Sequence, residues 1–325
     1  MAGGVFVVGS FNVDHVWALD ALPAAGETRA GSYASGPGGK GFNQAVAAAR
    51  SGAPTRFVCA LGDDAGGVLA RALAVADGID LRDAASMQPT GSAGIFVDAG
   101  GRNSIAVAAG ANAALEASHV EHEMRTGEAP AVVLAQLETP EDAAMAAFRI
   151  GRTAGALTVL NPAPANVRLG PALLGAVDVL TPNETEFAAL LSAARIDAID
   201  PAALATMPDA GLHVLCRQLL PGGTVVVTLG AAGCFVSHAG GMLRGDDAAC
   251  YRMPAPQAAV VDTTGAGDAF NGAMCASLAM AVGPFSGHVR YAVAYASLST
   301  ERAGAALAMP SRAEMQARFG AGISG

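Results

Sequence analysis

The chain has 325 residues, 52% of them hydrophobic and only 14% charged, with a formal net charge of −9 at pH 7. That length supplies ample core for one large domain, and an acidic balance with no basic block excludes a nucleic-acid partner. Much of the apolar excess is alanine broken by Gly and Pro, so no run reaches membrane-spanning length without polar or turn residues, and no membrane partner is expected.

At the start, Met1-Ala2-Gly3-Gly4 has no basic stretch and the apolar Val5–Val8 run is too short for a secretory signal. Cys59, Cys216, Cys234, Cys250 and Cys275 are odd in number and scattered, as expected of reduced thiols in a cytoplasmic protein. The histidines show no metal-ligand spacing.

Val5–Val8 reads as a strand, followed by Gly9-Ser10-Phe11-Asn12-Val13-Asp14. The G-x-G-x-x-G spacing of a dinucleotide fingerprint is missing, which argues against a nicotinamide dehydrogenase. In extended chain Asn12 and Asp14 point the same way. An amide beside a carboxylate suits the hydroxyls of a polyol; an Asx-turn is the structural alternative. Val16–Ser35 is Gly-punctuated and lacks helical period. Gly36-Pro37-Gly38-Gly39-Lys40-Gly41-Phe42-Asn43-Gln44 then leads into a helix over Gly41–Ser51. Lys40 is not in a Walker A loop, yet a Gly-Gly turn lets backbone approach a ligand closely. Asn43, on the first helical turn, can bond a hydroxyl.

A strand over Phe57–Leu61 and a helix over Gly67–Ala76 precede a second interruption, Gly91–Ala108. Within it, Ala93–Val97 and Asn103–Val107 flank Asp98-Ala99-Gly100-Gly101-Arg102 and read as a hairpin. Strands inserted into an α/β chain form either a flap over a site or a surface excursion. The strand Val132–Leu137 runs into Glu138, a normal place for a ligand-facing carboxylate. A helix over Glu141–Ala154, a strand over Leu157–Leu160 ending at Asn161-Pro162, and a strand over Val177–Leu180 follow. Asn183-Glu184-Thr185-Glu186 opens a helix over Glu184–Leu191. Asn183 and Glu186 make a capping-box pair, and the same two side chains suit phosphate and a water-bridged magnesium ion. Thr224–Thr228 ends in Leu229-Gly230-Ala231-Ala232-Gly233, small residues against which a base or phosphate can lie. This alternation predicts βαβ units and a mostly parallel sheet covered on both faces.

The most informative segment is the last, Val260-Val261-Asp262-Thr263-Thr264-Gly265-Ala266-Gly267-Asp268-Ala269-Phe270-Asn271-Gly272. A β-branched run ends in a turn of small residues, and a helix is predicted from Ala269 to about Met280. The amides of Gly265, Ala266 and Gly267 can approach an anion at the helix N-terminus. A carboxylate at that point is repelled by a bound phosphate. Asp268 makes chemical sense there as a base that takes a proton from an attacking hydroxyl; the alternative is that it caps the helix.

With both turns in view, about 220 residues apart and in order, the chain resembles the ribokinase-like (PfkB-type) carbohydrate kinases from about Val5 to Pro310. The resemblance implies a three-layer α/β/α fold with a mostly parallel central sheet, in one domain spanning 1–325. It also implies a small β lid from strands at about 16–35 and 91–108, which in ribokinase-type members mediates homodimerisation. By position it makes Asp268 the catalytic base and the Gly265, Ala266 and Gly267 amides the anion hole. Asn12, Asp14, Gly39, Lys40, Asn43 and Glu138 would line the sugar site. Asn183, Thr228, Gly230, Gly233 and Gly267 would border ATP, and Glu186 would place Mg²⁺ through water. A monovalent cation, potassium, would be held by Asp262 and carbonyls at Thr264, Ser299, Arg302 and Gly304. The family's late serine falls on Ala308 here, which weakens that site. The implied reaction is phosphoryl transfer from ATP to a neutral sugar, ribose first. Fructose, a nucleoside or a keto-deoxy sugar acid remain alternatives, the last lacking the arginine clamp it would want. A non-catalytic sugar sensor has no need of an intact Asp268.

Overall fold

Short, wholly apolar runs make the central strands. β1 (Val5–Val8) is buried along its whole length, so both of its faces must be covered, as in parallel sheets flanked by helices. The computed structural model describes residues 3–166, 169–280 and 282–320. After β1 come β2 (Asn12–Leu19), β3 (Ser32–Gly38), α1 (Lys40–Arg50), β4 (Thr55–Gly62), α2 (Ala65–Ala76), β5 (Asp80–Ser86), β6 (Gly91–Asp98) and β7 (Asn103–Ala108). The middle of the chain forms α3 (Ala117–Arg125), β8 (Val132–Ala135), α4 (Glu141–Thr153), β9 (Leu157–Leu160), α5 (Pro171–Leu174), β10 (Val179–Leu180), α6 (Glu184–Ala193) and α7 (Asp209–Leu219). Then follow β11 (Thr224–Thr228), β12 (Cys234–Ser237), β13 (Cys250–Met253), α8 (Ala266–Met280), α9 (Phe285–Ser299) and α10 (Arg312–Phe319).

The main sheet has the order β13-β12-β11-β10-β9-β8-β1-β4-β5. It is parallel from β11 through β5 and antiparallel only where β12 and β13 are added at one edge. From β1 the chain first builds outward through β4 and β5, then returns to place β8 on the other side of β1. The crevice at this switch point, outside the carboxyl ends of β1 and β8, is where such sheets bind ligands. Alternate strand residues divide between two cores. Val5 and Val7 face a layer containing Phe42 of α1, Phe270 of α8 and Tyr295 of α9. Phe6 and Val8 face Phe148 of α4, Phe187 of α6 and Leu212 of α7. Each fully buried aromatic of this kind contributes about 1.5–3 kcal/mol relative to exposure.

The abundance of small residues lets helices approach closely. A Cβ on Gly272 of α8 would lie 2.3 Å from the Gln44 carbonyl and 2.6 Å from the Ala47 Cβ. Only glycine permits that spacing, and it brings the first turn of α8 against the first turn of α1.

The second sheet, in the order β3-β2-β6-β7, comes from the two interruptions. The Asp98–Arg102 hairpin is present as expected, β6 pairing antiparallel with β7. The boundaries differ, since β2 starts at Asn12 and β3 ends at Gly38, so the Gly9–Asp14 and Gly36–Gln44 motifs lie partly in this sheet. Trp17 stacks on Phe96 with ring centroids 5.2 Å apart and leans on Tyr33 at 5.3 Å. Elsewhere the expected strand over Val132–Leu137 stops at Ala135, leaving Gln136–Glu138 free to face the crevice. The β-branched Val260 and Val261 form no strand. They are 62% and 67% exposed, because the Asp262 turn holds them outside the sheet. α8 begins at Ala266 rather than Ala269.

Candidate active site

Asp268 is the third residue of α8 and is 7% exposed. Its carboxylate does not cap its own helix, which overturns the capping alternative. Instead Asn43 Nδ2 donates to Oδ2 at 2.9 Å and Gln44 Nε2 donates to Oδ1 at 2.8 Å. Burial pushes the Asp268 pKa up, while the Lys40 ammonium and the two amide donors work against that rise. The result is a more basic carboxylate than one on the surface, held by two fixed donors.

Gly265 has φ 75°, and a Cβ there would lie 2.8 Å from the Ala305 side chain, so both conformation and space require glycine. The turn it makes leaves the N–H groups of Gly265, Gly267 and Asp268 with no backbone acceptor among the described residues, whereas the Ala266 N–H donates to the Thr263 carbonyl at 3.1 Å. Of the three amides expected to form an anion hole, the Ala266 group is thus turned into the loop, and the Asp268 N–H joins the open donors. These N–H groups face a cavity of about 150 Å³ lined also by Lys40, Asn183, Glu186 and Thr228.

Lys40 spans two regions. Its backbone N–H donates to Glu138 Oε2 at 3.0 Å, while the residue also lines the cavity beside the Gly265 turn. Burial lowers the pKa of its ammonium, but Asp268, Glu138 and Glu186 around it outweigh burial and hold it above the usual lysine value. One cation thereby balances three carboxylates.

Asn183 and Glu186 form the full capping box, Asn183 Oδ1 accepting from the Glu186 N–H at 2.8 Å and Glu186 Oε2 accepting from the Asn183 N–H at 2.9 Å. The cap and a ligand role are compatible, since both residues line the cavity and Glu186 retains its second carboxylate oxygen. One free carboxylate oxygen on the lining of this cavity fits magnesium, which keeps most of its waters. Among the described residues, no group of three or more His, Cys, Asp or Glu side chains gathers to cage a metal. Gly230 and Gly233 do not line the cavity; they close the turn after β11, where the Leu229 N–H donates to the Gly233 carbonyl at 2.8 Å.

Asp14 and Glu138, whose charges act on Asp268, do not line this cavity; Asn12 shares β2 with Asp14, and Gly39 caps α1. Asn12 and Asp14 alternate with Val13 on β2 and so share a face, as their spacing required. Burial pushes the Asp14 pKa up to about 6, helped by the Glu138 and Asp268 carboxylates nearby. Asn43 Oδ1 is buried with no partner, an acceptor that a ligand hydroxyl would satisfy. Two contributors had no assigned role in the sequence. Asn112 Nδ2 donates to Asn12 Oδ1 at 2.8 Å and to the Phe11 carbonyl at 3.0 Å; its only signal is a lone amide within an alanine run. Gln44 was visible in the Gly-Gly turn, but its contact with Asp268 depends on the packing of α1 against α8.

Asp262 sits apart from the cavity. Its carboxylate accepts from the Thr264 N–H at 2.9 Å, the Thr264 hydroxyl at 2.7 Å and the Gly304 N–H at 2.9 Å. Burial raises its pKa, but the bonds from Gly304 and Thr264 win and hold it below the usual carboxylate value. Asp262 therefore ties the start of the Thr264–Gly267 turn to Gly304. Arg302 pairs with Glu314, Ser299 lies buried at the end of α9, and Ala308, also buried, offers no side-chain oxygen.

The family model described as "pfkB family carbohydrate kinase" matches residues 3–312. The ribokinase of Haemophilus influenzae is 36% identical over 315 residues, covering 95% of each chain. The solved ribokinase of Giardia lamblia superposes with a TM-score of 0.85 at 27% identity, covering 98% of this chain and 99% of that one. Arabidopsis thaliana ribokinase, solved with ribose and ATP, gives a TM-score of 0.77 at 29% identity over 98% of each chain. A buried carboxylate set between open helix-terminal amides and a polyol-suited face, on this sheet order and with this extent of similarity, places the chain in the pfkB family of carbohydrate kinases.

Proposed function

We propose that the protein transfers the γ-phosphoryl group of ATP to D-ribose, giving D-ribose 5-phosphate and ADP. The observation that carries this reading is the position of Asp268. It lines the amide-bearing cavity, accepts from Asn43 and feels the charges of Asp14 and Glu138, which with Asn12 stand outside that lining. Ribose lies against Asn12, whose Nδ2 can donate to a hydroxyl while its Oδ1 is held by Asn112, against Asp14 and Glu138, whose carboxylates accept hydroxyl protons, and against the unpartnered Asn43 Oδ1. The hydroxyl to be phosphorylated points toward Asp268, which removes its proton as it attacks the γ-phosphorus. The open N–H groups of Gly265 and Gly267, with the Lys40 ammonium, stabilise the charge that develops on the transferring group. Asn183 and Thr228 border the ATP phosphates, and Glu186 would hold magnesium through water, an ion that neutralises phosphate charge when bound. The relatives named ribokinase support ribose over other sugars.

The test is ATP consumption measured with ribose, fructose, a nucleoside and a keto-deoxy sugar acid, with the phosphorylated product identified. Ribose should give the highest kcat/KM. A higher value for another acceptor would keep the kinase reading and move the substrate, and no turnover with any of them would favour a non-catalytic sensor.

Three further features belong to this reading. The lid sheet exposes Tyr33, Ile105 and Val107, apolar side chains that a second copy would cover in a homodimer. Among the described residues no helix is long and apolar enough to cross a membrane. The region around Asp262 is read as a potassium site that supports the anion hole from behind. Potassium tolerates variable coordination, so the missing hydroxyl at Ala308 should weaken the site without abolishing it. Activation by potassium chloride at fixed ionic strength should therefore half-saturate at a higher concentration than in an Ala308→Ser variant. Full activity in potassium-free buffer would leave Asp262 only its role of tying two loops together.

A further inference from the structure

A chain of buried side-chain amides runs beneath the catalytic carboxylate. Gln136 Nε2 donates to Gln44 Oε1 at 2.6 Å. Gln44 Nε2 donates both to Asp268 Oδ1 at 2.8 Å and to Asn161 Oδ1 at 3.0 Å. Asn161 Nδ2 donates in turn to the Thr181 carbonyl at 3.0 Å. Gln44 is 0% exposed, Gln136 1% and Asn161 6%. The direction of every bond is fixed by groups that can only accept. The Thr181 carbonyl orients Asn161, whose oxygen must then face Gln44. The Asp268 carboxylate also demands a donor, so the Gln44 amide cannot flip without setting oxygen against oxygen twice.

We propose that Gln44 is a positioning residue for the reaction: its locked amide holds the Asp268 carboxylate in one plane, leaving the free lone pairs aimed at the acceptor hydroxyl. This rests on the reading of Asp268 as the base. Asn43 performs the complementary task at Oδ2, but its own oxygen is open to ligand, whereas every polar atom of the Gln44 side chain is used inside the protein. Gln44 therefore touches no substrate and acts only through Asp268. Two strand ends meet it directly, at Gln136 and Asn161, and a third, at Thr181, holds Asn161 in turn, so the carboxylate is referenced to the sheet and not to a single helix.

The test uses Gln44→Met, which keeps length and volume but cannot donate. Losing one hydrogen bond to a charged group should lower kcat on the order of 10- to 100-fold, with KM for ribose and for ATP within about threefold. The acidic limb of the kcat–pH profile should move to higher pH, because the carboxylate loses a donor that favours its ionised form. Lys40, Glu138, Asp14 and Glu186, the other charges acting around it, are unchanged in this variant. In an Asp268→Asn background, Gln44→Met should cost less than about twofold more, since a residue acting through the base has nothing left to position. An unchanged kcat and limb in Gln44→Met, or an equal loss with and without Asp268, overturns the proposal. Should Gln44→Met fail to fold, Gln44→Glu keeps the shape and replaces the donor by a carboxyl group; an unmoved acidic limb there overturns it equally. If Asp268→Asn alone turns over at the wild-type rate, it is the assignment of the base that has failed, and the two failures are told apart.

Discussion

Asp268→Asn lowers turnover on the order of 10²–10⁴-fold, the usual contribution of a positioned general base, while ATP affinity stays within about threefold. The substitution conserves volume, and the open N–H groups at Gly265 and Gly267 remain to bind phosphate. The residue also receives two donors, from Asn43 and Gln44, and an asparagine amide can accept from only one of them. Part of the loss in a thermal melt would reflect that clash, so turnover and melting temperature should be measured on the same preparation. Near wild-type turnover would refute the role assigned to Asp268.

Asp14→Ala should raise the ribose KM on the order of 10²-fold through loss of hydrogen bonds to a charged acceptor, with ATP affinity almost unchanged. Equal loss of both affinities would indicate damage to β2 instead. The elevated pKa of Asp14, about 6 against an ordinary 3.8, adds a pH signature. The folded state holds this proton more tightly than the unfolded chain does. The Asp14 contribution to stability is therefore fully present below the unfolded value and is lost as pH rises toward and through about 6. Sugar binding follows the opposite sense, because hydroxyls need the ionised acceptor. Ribose affinity measured by calorimetry without ATP should weaken as pH falls below about 6, a dependence absent in Asp14→Asn.

Periodicity and turn chemistry placed the main strands with little error. Leu157–Leu160 and Thr224–Thr228 fold over the expected residues, because an apolar run bounded by turn residues has few other ways to bury itself. The antiparallel edge was less legible. Cys234–Ser237 is too short to signal a direction, and only its pairing with β11 sets one. The Val260–Val261 run forms no strand for a related reason. β-branched residues favour strands only where a neighbour can pair with them, and here their N–H and carbonyl groups lie beside the Asp262 turn, the Val261 N–H donating to Thr300.

The local character of the site was written in the chain. The glycine at 265 announces a backbone that only glycine adopts, Asn12 and Asp14 announce one face of a strand by their spacing, and Asn183 with Glu186 announces a helix start. What lay beyond the sequence were the bonds between residues far apart in it. Nothing near Gln44 says that it will donate to Asp268, because that contact depends on the Gly272 crossing of α8 over α1. Nothing near Lys40 says that Asp268, Glu138 and Glu186 will surround it. Backbone conformation and hydrogen-bonding type are properties of short segments and can be read one residue at a time. The balance of buried charge around Asp268, and hence its basicity, arises only where three segments are packed together out of water, so the tertiary structure alone decided it.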